Sequence, residues 1–280
     1  MKKNRISAAI PFLGNRLKEL ERAIASLISQ TLPPMEIIIV DQNEKDIISP
    51  IVQKFGSNIL INHIRTEKSL GASWARNIGW KKAKGDIIIF PDDDCWYPDN
   101  YFLDSMNTMI EKKVDFVTGT SIDSNKFFLK TSQPLNKYNV LNAHIEYAVM
   151  IKKSVLESVG GFNEDLGVGA PTRWGAAEGT DLLVRMLDRN FKGYFNLNIG
   201  AYHPPIEFDI NNDKDLSKLE SYSRGFGRFV SINNYGFFGF LLTIKPIFKI
   251  PLYIILFDFD EIKKRYIILY SRFEGYFSKK

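Results

Sequence analysis

The chain has 280 residues, 45% hydrophobic and 25% charged, with a formal net charge of +5. This is enough apolar material to bury a sizeable core in one domain, or in one domain with an extension. The single cysteine, Cys95, excludes an internal disulfide and fits a reducing compartment. Met1-Lys2-Lys3-Asn4-Arg5 is basic, but residues 6–10 are too short for a signal-peptide core and run into Pro11, so no secretory leader is expected. No internal repeat or low-complexity segment stands out.

Residues 6–10 read as a short apolar strand closed by Pro11. Asn15 is placed to cap a helix in which Leu17, Leu20, Ile24, Leu27 and Ile28 recur at helical spacing. After Pro33-Pro34, residues 36–40 form a second buried strand ending at Asp41. Strand, helix and strand in that order predict a right-handed βαβ unit. A third strand over residues 59–64 and a helix over about 72–83 lead to the stretch that organises the chain, Asp86-Ile87-Ile88-Ile89-Phe90-Pro91-Asp92-Asp93-Asp94-Cys95-Trp96. Its apolar run predicts a strand buried on both faces, as in a parallel sheet, and Pro91, with no N–H to donate, ends it. Three carboxylates follow at the strand's carboxyl end, the edge where open α/β sheets bind ligands. Adjacent carboxylates repel, and an oxygen-seeking divalent cation relieves that repulsion. Asp92 and Asp94, one residue apart, can reach a single ion. The plainer alternative is a solvated acidic loop before a helix opened by Pro98. A further strand is expected over residues 115–119.

This alternation resembles a nucleotide-binding half-domain. Neither G-x-G-x-x-G nor G-x-x-x-x-G-K-[ST] follows the first strand, which disfavours dinucleotide and P-loop chemistry. Ile10-Pro11, Ser29-Gln30-Thr31, the run ending in Asp41, Gly71 with Ala75-Arg76-Asn77-Ile78-Gly79, Ala83-Lys84-Gly85-Asp86, Phe90-Pro91-Asp92-Asp93-Asp94 and Gly160-Gly161-Phe162-Asn163-Glu164 follow one another in a recognisable order. In order and spacing the chain resembles the family 2 glycosyltransferases of GT-A fold, over roughly residues 6–203.

The resemblance implies an α/β architecture, a GT-A (Rossmann-like) mostly parallel sheet flanked by helices. Residues 1–205 would be the catalytic domain, its donor half about 1–118 and its acceptor half about 119–205, with a helical extension over 206–280. It implies an inverting, metal-dependent transfer from a nucleotide-diphosphate sugar, a UDP-sugar first of all, to a hydroxyl of a saccharide or glycolipid acceptor. Synthesis of bacterial surface polysaccharide or glycolipid is the expected setting, in the cytoplasm on the inner face of the cell membrane, with no nucleic-acid partner. Mn²⁺ or Mg²⁺ would bridge the diphosphate, held by Asp92 and Asp94 with His203 completing the shell, and Asp93 would lie near the ribose. Pro11, Phe12 and Asp41 stand at donor-side strand ends, Asp41 where the family's acid meets the nucleobase. The family usually follows that acid with another acid or Gly-Ser, whereas Gln42-Asn43 follows here and leaves the base open. Arg76 would face the diphosphate or else be a solvated helix charge. Cys95 is expected to be a packing residue.

Residues 120–142 are polar and poorly patterned, as an acceptor-side loop would be. A strand over 147–151 and a helix over 154–159 precede Gly160-Gly161. The glycine-rich segment 167–175 carries Trp174, which can offer an apolar face to a sugar or pack as an ordinary surface-loop aromatic. The helix entered through Glu178-Gly179-Thr180-Asp181 departs from the family, whose second adjacent acid is the base, because Gly179 stands there. Glu178 and Asp181 are three apart and could look into one cleft. Arg185, four residues beyond Asp181, would occupy it and make it the weaker base. Glu178, facing Leu182 at that spacing, is the expected general base, with Asp181 as a positioning or fallback residue. A strand is expected over 191–196, then His203. Alternatives are a nucleotidyltransferase, for which residues 11–16 make a poor phosphate loop, and a catalytically inactive nucleotide-sugar-binding subunit at a membrane.

Residues 235–257 are strongly apolar but interrupted by Lys245, Pro246, Lys249 and Pro251. Two mid-bilayer charges disfavour a span and favour interfacial attachment to an anionic membrane surface, the alternative being a helical layer packed on the core. The residues from Tyr235 onward hold eight basic and four acidic side chains.

Overall fold

The computed structural model describes residues 5–122, 129–143, 146–205 and 208–278. Its centre is a mixed sheet in the order β3-β2-β1-β4-β7-β5-β8-β6. The first strands are β1 (Ile6–Phe12), β2 (Glu36–Asp41), β3 (Leu60–Arg65) and β4 (Ile87–Ile89). All four run parallel, so the carboxyl ends of β1, β2 and β4 share one edge. β7 (Val149–Lys152) runs antiparallel between β4 and β5 (Phe116–Ser121). β8 (Gly193–Ala201) is parallel to β5, and the two-residue β6 (Gln133–Pro134) closes the far edge.

The sheet separates two apolar cores because strand side chains alternate. Ile6, Ala8, Ile10 and Phe12 of β1, with Ile37 and Ile39 of β2, face one core, where α1 (Leu17–Ile28) lays Leu20, Ile24 and Leu27 against them. Ala9, Ile38, Val40, Ile88 and Phe90 face the other, covered by Trp80 of α3 (Ala72–Lys82) and by Leu182, Leu183 and Met186. The β4 run is buried on both faces as its sequence predicts, although one of its neighbours is antiparallel.

Several local expectations shift. Arg16, not Asn15, is the cap of α1, and no side chain bonds its first turn; the Arg16 side chain is drawn to the carboxylates instead. A short helix, α2 (Ser49–Phe55), precedes β3. α4 (Tyr101–Lys112) starts three residues beyond Pro98, and Asn100, at the position before it, accepts from Thr31 rather than capping the helix. α5 (Lys153–Val159) ends in left-handed Gly160, and α6 (Glu178–Asp188) begins after left-handed Ala177. The expected helical extension begins with a 20-residue helix, α7 (Asp213–Ile232), capped by Asn212. Its buried stripe includes Ser223, Gly225 and Gly227, which hides the apolar period. Beyond it lie α8 (Gly236–Ile244), a 3₁₀ turn over Lys245–Lys249, α9 (Ile250–Ile255) and α10 (Phe259–Phe277). α7 and α10 meet closely at Gly227 and Gly275, beside an Arg224–Glu274 ion pair of 2.7 Å.

Candidate active site

The carboxyl ends of β1, β2 and β4 open into a cleft of about 610 Å³, closed on the other side by the start of α6 and by α7. A smaller hollow of about 420 Å³ against β6 and β8 holds Asp188 as its only acid. Because Pro91 ends the β4 ladder, Asp92, Asp93 and Asp94 turn into the larger cleft. The backbone behind them is tied down by a two-residue bridge between Trp96 and Tyr202, whose rings stack 5.1 Å apart. That bridge delivers the next residue, His203, so that its Nε2 lies 3.3 Å from Asp94 Oδ1. The His203 ring stacks on Tyr147, and its Nδ1 lies 2.6 Å from the Pro204 carbonyl.

The three aspartates have different partners. Arg76 donates to Asp92 Oδ1 at 2.7 Å. Arg16 bridges the other two, one nitrogen on Asp93 and the other on Asp94. Asp93 Oδ2 and Asp94 Oδ1 remain buried without a hydrogen-bond partner among the described residues. Burial first, and then the two neighbouring aspartates, push the Asp93 carboxyl up to about 7 against the opposing pull of Arg16. Orphaned carboxylate oxygens, which are hard donors, beside a borderline histidine nitrogen form a donor set that fits a divalent cation. The half-exposed guanidinium of Arg16 meanwhile supplies the positive charge the cluster requires. Asp92, Asp94 and His203 are the expected ligands. The structure brings Asp94 and His203 together, while the carboxylate of Asp92 is drawn aside to Arg76.

Arg76 is no solvated helix charge. It is 4% exposed and donates to both Asp92 and Glu178, the latter at 3.0 Å. Burial opposes its charge, but Asp92, then Glu178 and Glu146, outweigh burial and hold it protonated. It thus links the strand-end carboxylates to the helix wall. Glu178 lines the cleft at the first position of α6, presented by Ala177 at φ 74°. Burial raises its carboxyl above the ordinary range, Glu146 raises it further, and Arg76 draws it back.

Asp181 does not share that cleft. It is 1% exposed, accepts from Arg185 Nε at 2.7 Å and from Asn233 Nδ2 at 2.9 Å, and joins α6 to the end of α7. Arg185 in turn donates to the carbonyls of Val159 and Gly161. This is the expected Asp181–Arg185 pair, put to structural use. Phe12 also leaves the site, fully buried in the core, whereas Pro11 lines the cleft. Asp41 is fully buried, its Oδ1 accepting from Asn43 and its Oδ2 lying 3.1 Å from His63 Nε2. Gln42 is the cleft-facing residue at that strand end, its Oε1 accepting from the Leu70 N–H. Trp174 is not in the lining either; the Arg228 guanidinium lies 4.5 Å over its ring.

The glycine-rich segment contributes a wall through Val168 and Gly169. It is seated on the turn before α3, where Ala72 N donates to Val168 O. A side chain at Gly71 would stand 2.6 Å from Gly169 and Ala170 backbone, and Gly71 has φ +93°. Only glycine permits that approach. Glu146, Lys218 and Tyr222 also line the cleft, and no sequence pattern marks them. Arg16 has no part in the sequence reading beyond a poor phosphate loop. Its place at the end of the β1 turn, facing the same sheet edge as the aspartates, is the signal that could have found it.

A family model described as glycosyl transferase family 2 matches residues 7–162. Among curated relatives, an uncharacterized glycosyltransferase of Haemophilus influenzae is 28% identical over 165 residues, covering 54% of this chain and 54% of that protein. The chain spans little more than half the length of the first curated relatives it matches. Among solved structures, the mannosyltransferase PcManGT from Pyrobaculum calidifontis in complex with GDP-Man and Mn²⁺ has a TM-score of 0.73 at 11% identity, over 99% of this chain and 88% of that one. S. aureus TarS 1-349 in complex with UDP-GlcNAc has a TM-score of 0.64 at 15% identity, over 98% and 93%. At these identities the two structures establish a shared fold.

Proposed function

The chain belongs to glycosyl transferase family 2, and from that premise we propose that it moves a sugar from a nucleotide-diphosphate sugar to an acceptor hydroxyl, with inversion and with a divalent cation. The observation that carries the reading is a single cleft holding two opposed features. The orphaned oxygens of Asp93 and Asp94 lie at the strand ends, and Glu178, fixed by Arg76, lies on the α6 wall.

In this reading Asp94 and His203 would hold Mn²⁺ or Mg²⁺, with Asp92 on the same loop as a further carboxylate donor. The ion, when bound, supplies charge that stabilises the departing diphosphate. The acceptor hydroxyl attacks the anomeric carbon as the bond to the diphosphate breaks, and Glu178 takes the hydroxyl proton. Its raised affinity for protons makes it a stronger base than an ordinary carboxylate, and Arg76 fixes its direction. Arg16, 51% exposed at its side chain, is free to turn from the aspartates to the donor phosphates. UDP-sugars remain the first donors to test, with GDP-sugars beside them, since structural neighbours hold one or the other. A saccharide or glycolipid acceptor in surface-polysaccharide synthesis suits the family.

Calorimetry with UDP and GDP, with and without Mn²⁺, tests the reading. The wild-type chain is expected to bind one of them in a Mn²⁺-dependent manner. Asp94→Asn should weaken that binding by more than about 100-fold, the upper end of what disturbing even outer-sphere partners of a metal costs. Undiminished Mn²⁺-dependent affinity in a folded Asp94→Asn protein would overturn the assignment.

A further inference from the structure

Residues Gly236–Ile255 are long and apolar enough to cross a membrane, at mean hydropathy 1.6, yet only 22% of that stretch is buried. The buried positions are Gly239, Thr243, Pro246 and Ile250, spaced by four, three and four residues. They form one narrow stripe of mostly small side chains, and Gly239 rests against Val230 and Tyr235. Most of the bulky residues lie outside it, with Phe237, Phe240, Phe248, Ile254 and Ile255 exposed. Of the 22 large hydrophobic side chains exposed among the described residues, 15 fall between Phe237 and Phe277. A soluble monomer rarely leaves so much contiguous apolar surface in water.

A span is the wrong geometry for this stretch. The helix is broken by the 3₁₀ turn at Lys245–Lys249, and its small-residue stripe is committed to the body of the protein. Lys245 and Lys249 are exposed near its middle, where a bilayer core would penalise each of them. The α9–α10 connection points the same way. Phe257 is 78% exposed and left-handed at φ 55°, a conformation that a bulky residue adopts only at some cost. Ile255, Leu256 and Phe259 are exposed around it.

The charges select among possible occupants. Glu261 is taken up by Lys264 and Arg265, and Glu274 by Arg173 and Arg224. Asp258 caps α10. Lys245, Lys249 and Lys263 make no ion pair among the described residues and are exposed, with Asp260 as the exposed acid nearby. A second copy docked on a twofold axis would set these lysines against themselves. The core of a protein interface is depleted in lysine. Aromatic and aliphatic side chains interleaved with unpaired lysines suit the boundary of a bilayer with anionic headgroups.

We propose that the outer face of α8, α9 and the start of α10 is a docking surface for an anionic lipid bilayer. Phe248, Ile255 and Phe257 enter the acyl boundary, and Lys245, Lys249 and Lys263 lie among the headgroups. The same helix, α7, carries Tyr222 in the cleft and Val230 beneath α8, eight residues apart. The inner side of α8 therefore meets α7 about 12 Å along that helix from the site, at 1.5 Å per residue.

Flotation of the full chain with phosphatidylcholine vesicles, with and without phosphatidylglycerol, tests this. Binding is expected to the mixed vesicles and to weaken steeply with salt. Phe248→Glu with Phe257→Glu should reduce partitioning at least tenfold, without changing circular dichroism or Mn²⁺-dependent nucleotide binding. Lys245→Glu with Lys249→Glu should remove the preference for phosphatidylglycerol, and decides the matter if the aromatic variant does not fold. Failure of the wild-type chain to float with anionic vesicles, or flotation of both variants like wild type, overturns the proposal. So does a lipid-free dimer in sedimentation that the aromatic substitutions dissociate, which would make this face a contact between copies.

Discussion

The sheet body and the C-terminal helical layer are both rich in apolar residues, and they place them oppositely. In β1, β2 and β4 every aliphatic side chain is buried, shared between two cores on the two faces of the sheet. From α8 through the 3₁₀ turn to α9 a single stripe is buried, and Phe237, Phe248 and Ile255 stand outward. The strands have neighbours on both faces, whereas α8 and α9 have α7 and α10 on one side and, among the described residues, nothing on the other. Charge is inverted as well. The body pairs its cleft charges and buries several of them, as with Arg76 and Glu178; the tail leaves Lys245, Lys249 and Lys263 exposed and unpaired among the described residues. Apolar content marks a core only where a second layer exists. Where it does not, the content marks a surface that needs a partner. On the functions proposed above, chemistry belongs to the body and contact to the tail.

If that division holds, a substitution in the cleft should remove transfer and leave attachment alone. Glu178→Gln keeps the volume and an acceptor for Arg76 but removes the proton-accepting charge. Transfer is expected to fall by about 10²–10⁴, the usual share of general acid–base catalysis. Donor affinity and vesicle binding should be unchanged. A variant that transfers sugar at the wild-type rate would remove Glu178 from the reaction and break the comparison at its strongest point.

A smaller effect is expected at the seam between the two regions. A Cβ at Gly275 would stand 2.0 Å from the Arg224 carbonyl, and one at Gly227 would stand 2.1 Å from that of Arg272. Both obstacles are backbone, so the helices must separate. Gly275→Ala should cost about 1–3 kcal/mol, the range of core overpacking, read as a lower midpoint in urea. Mn²⁺-dependent nucleotide binding should persist below that midpoint. Loss of nucleotide affinity in the fully folded variant would show that body and tail form one functional unit.

Much of the body is legible in the sequence because its signals are local. The β1, β2 and β4 runs, the aspartate triplet after Pro91 and the glycine pair after α5 all announce themselves within a few residues. Other features depend on neighbours far apart in sequence. Asp41 is withdrawn from the cleft by His63, which reaches it from the adjacent parallel strand. Arg76 meets Glu178 across 102 residues, so its burial cannot be read from its own helix. Asp181 pairs with Arg185 as helical spacing predicts, but its second bond, to Asn233, turns it away from the site. The extension is legible as helical, but the bounds of α7 within it are not, because glycine and serine occupy much of its buried stripe, where a period of large apolar residues would have marked them.

The smallest expected effect concerns Glu146, which no sequence pattern marks. It lies in the 3₁₀ turn before β7 and lines the cleft with Glu178. Glu178 must be ionised to accept a proton. Burial raises its carboxyl first, and the negative charge of Glu146 raises it further, with Arg76 opposing both. The acid limb of kcat/KM should therefore lie above the ordinary carboxylate range. Glu146→Gln removes the like charge and keeps the shape, so Glu178 gives up its proton at lower pH and the acid limb moves down. The plateau rate should fall slightly, because a base that holds its proton less tightly is a weaker one. Phe248→Glu, far out on the tail, should leave the limb where it was. A limb that moves upward in Glu146→Gln, or equally in both variants, would mean that a group other than Glu178 sets the acid side of the profile.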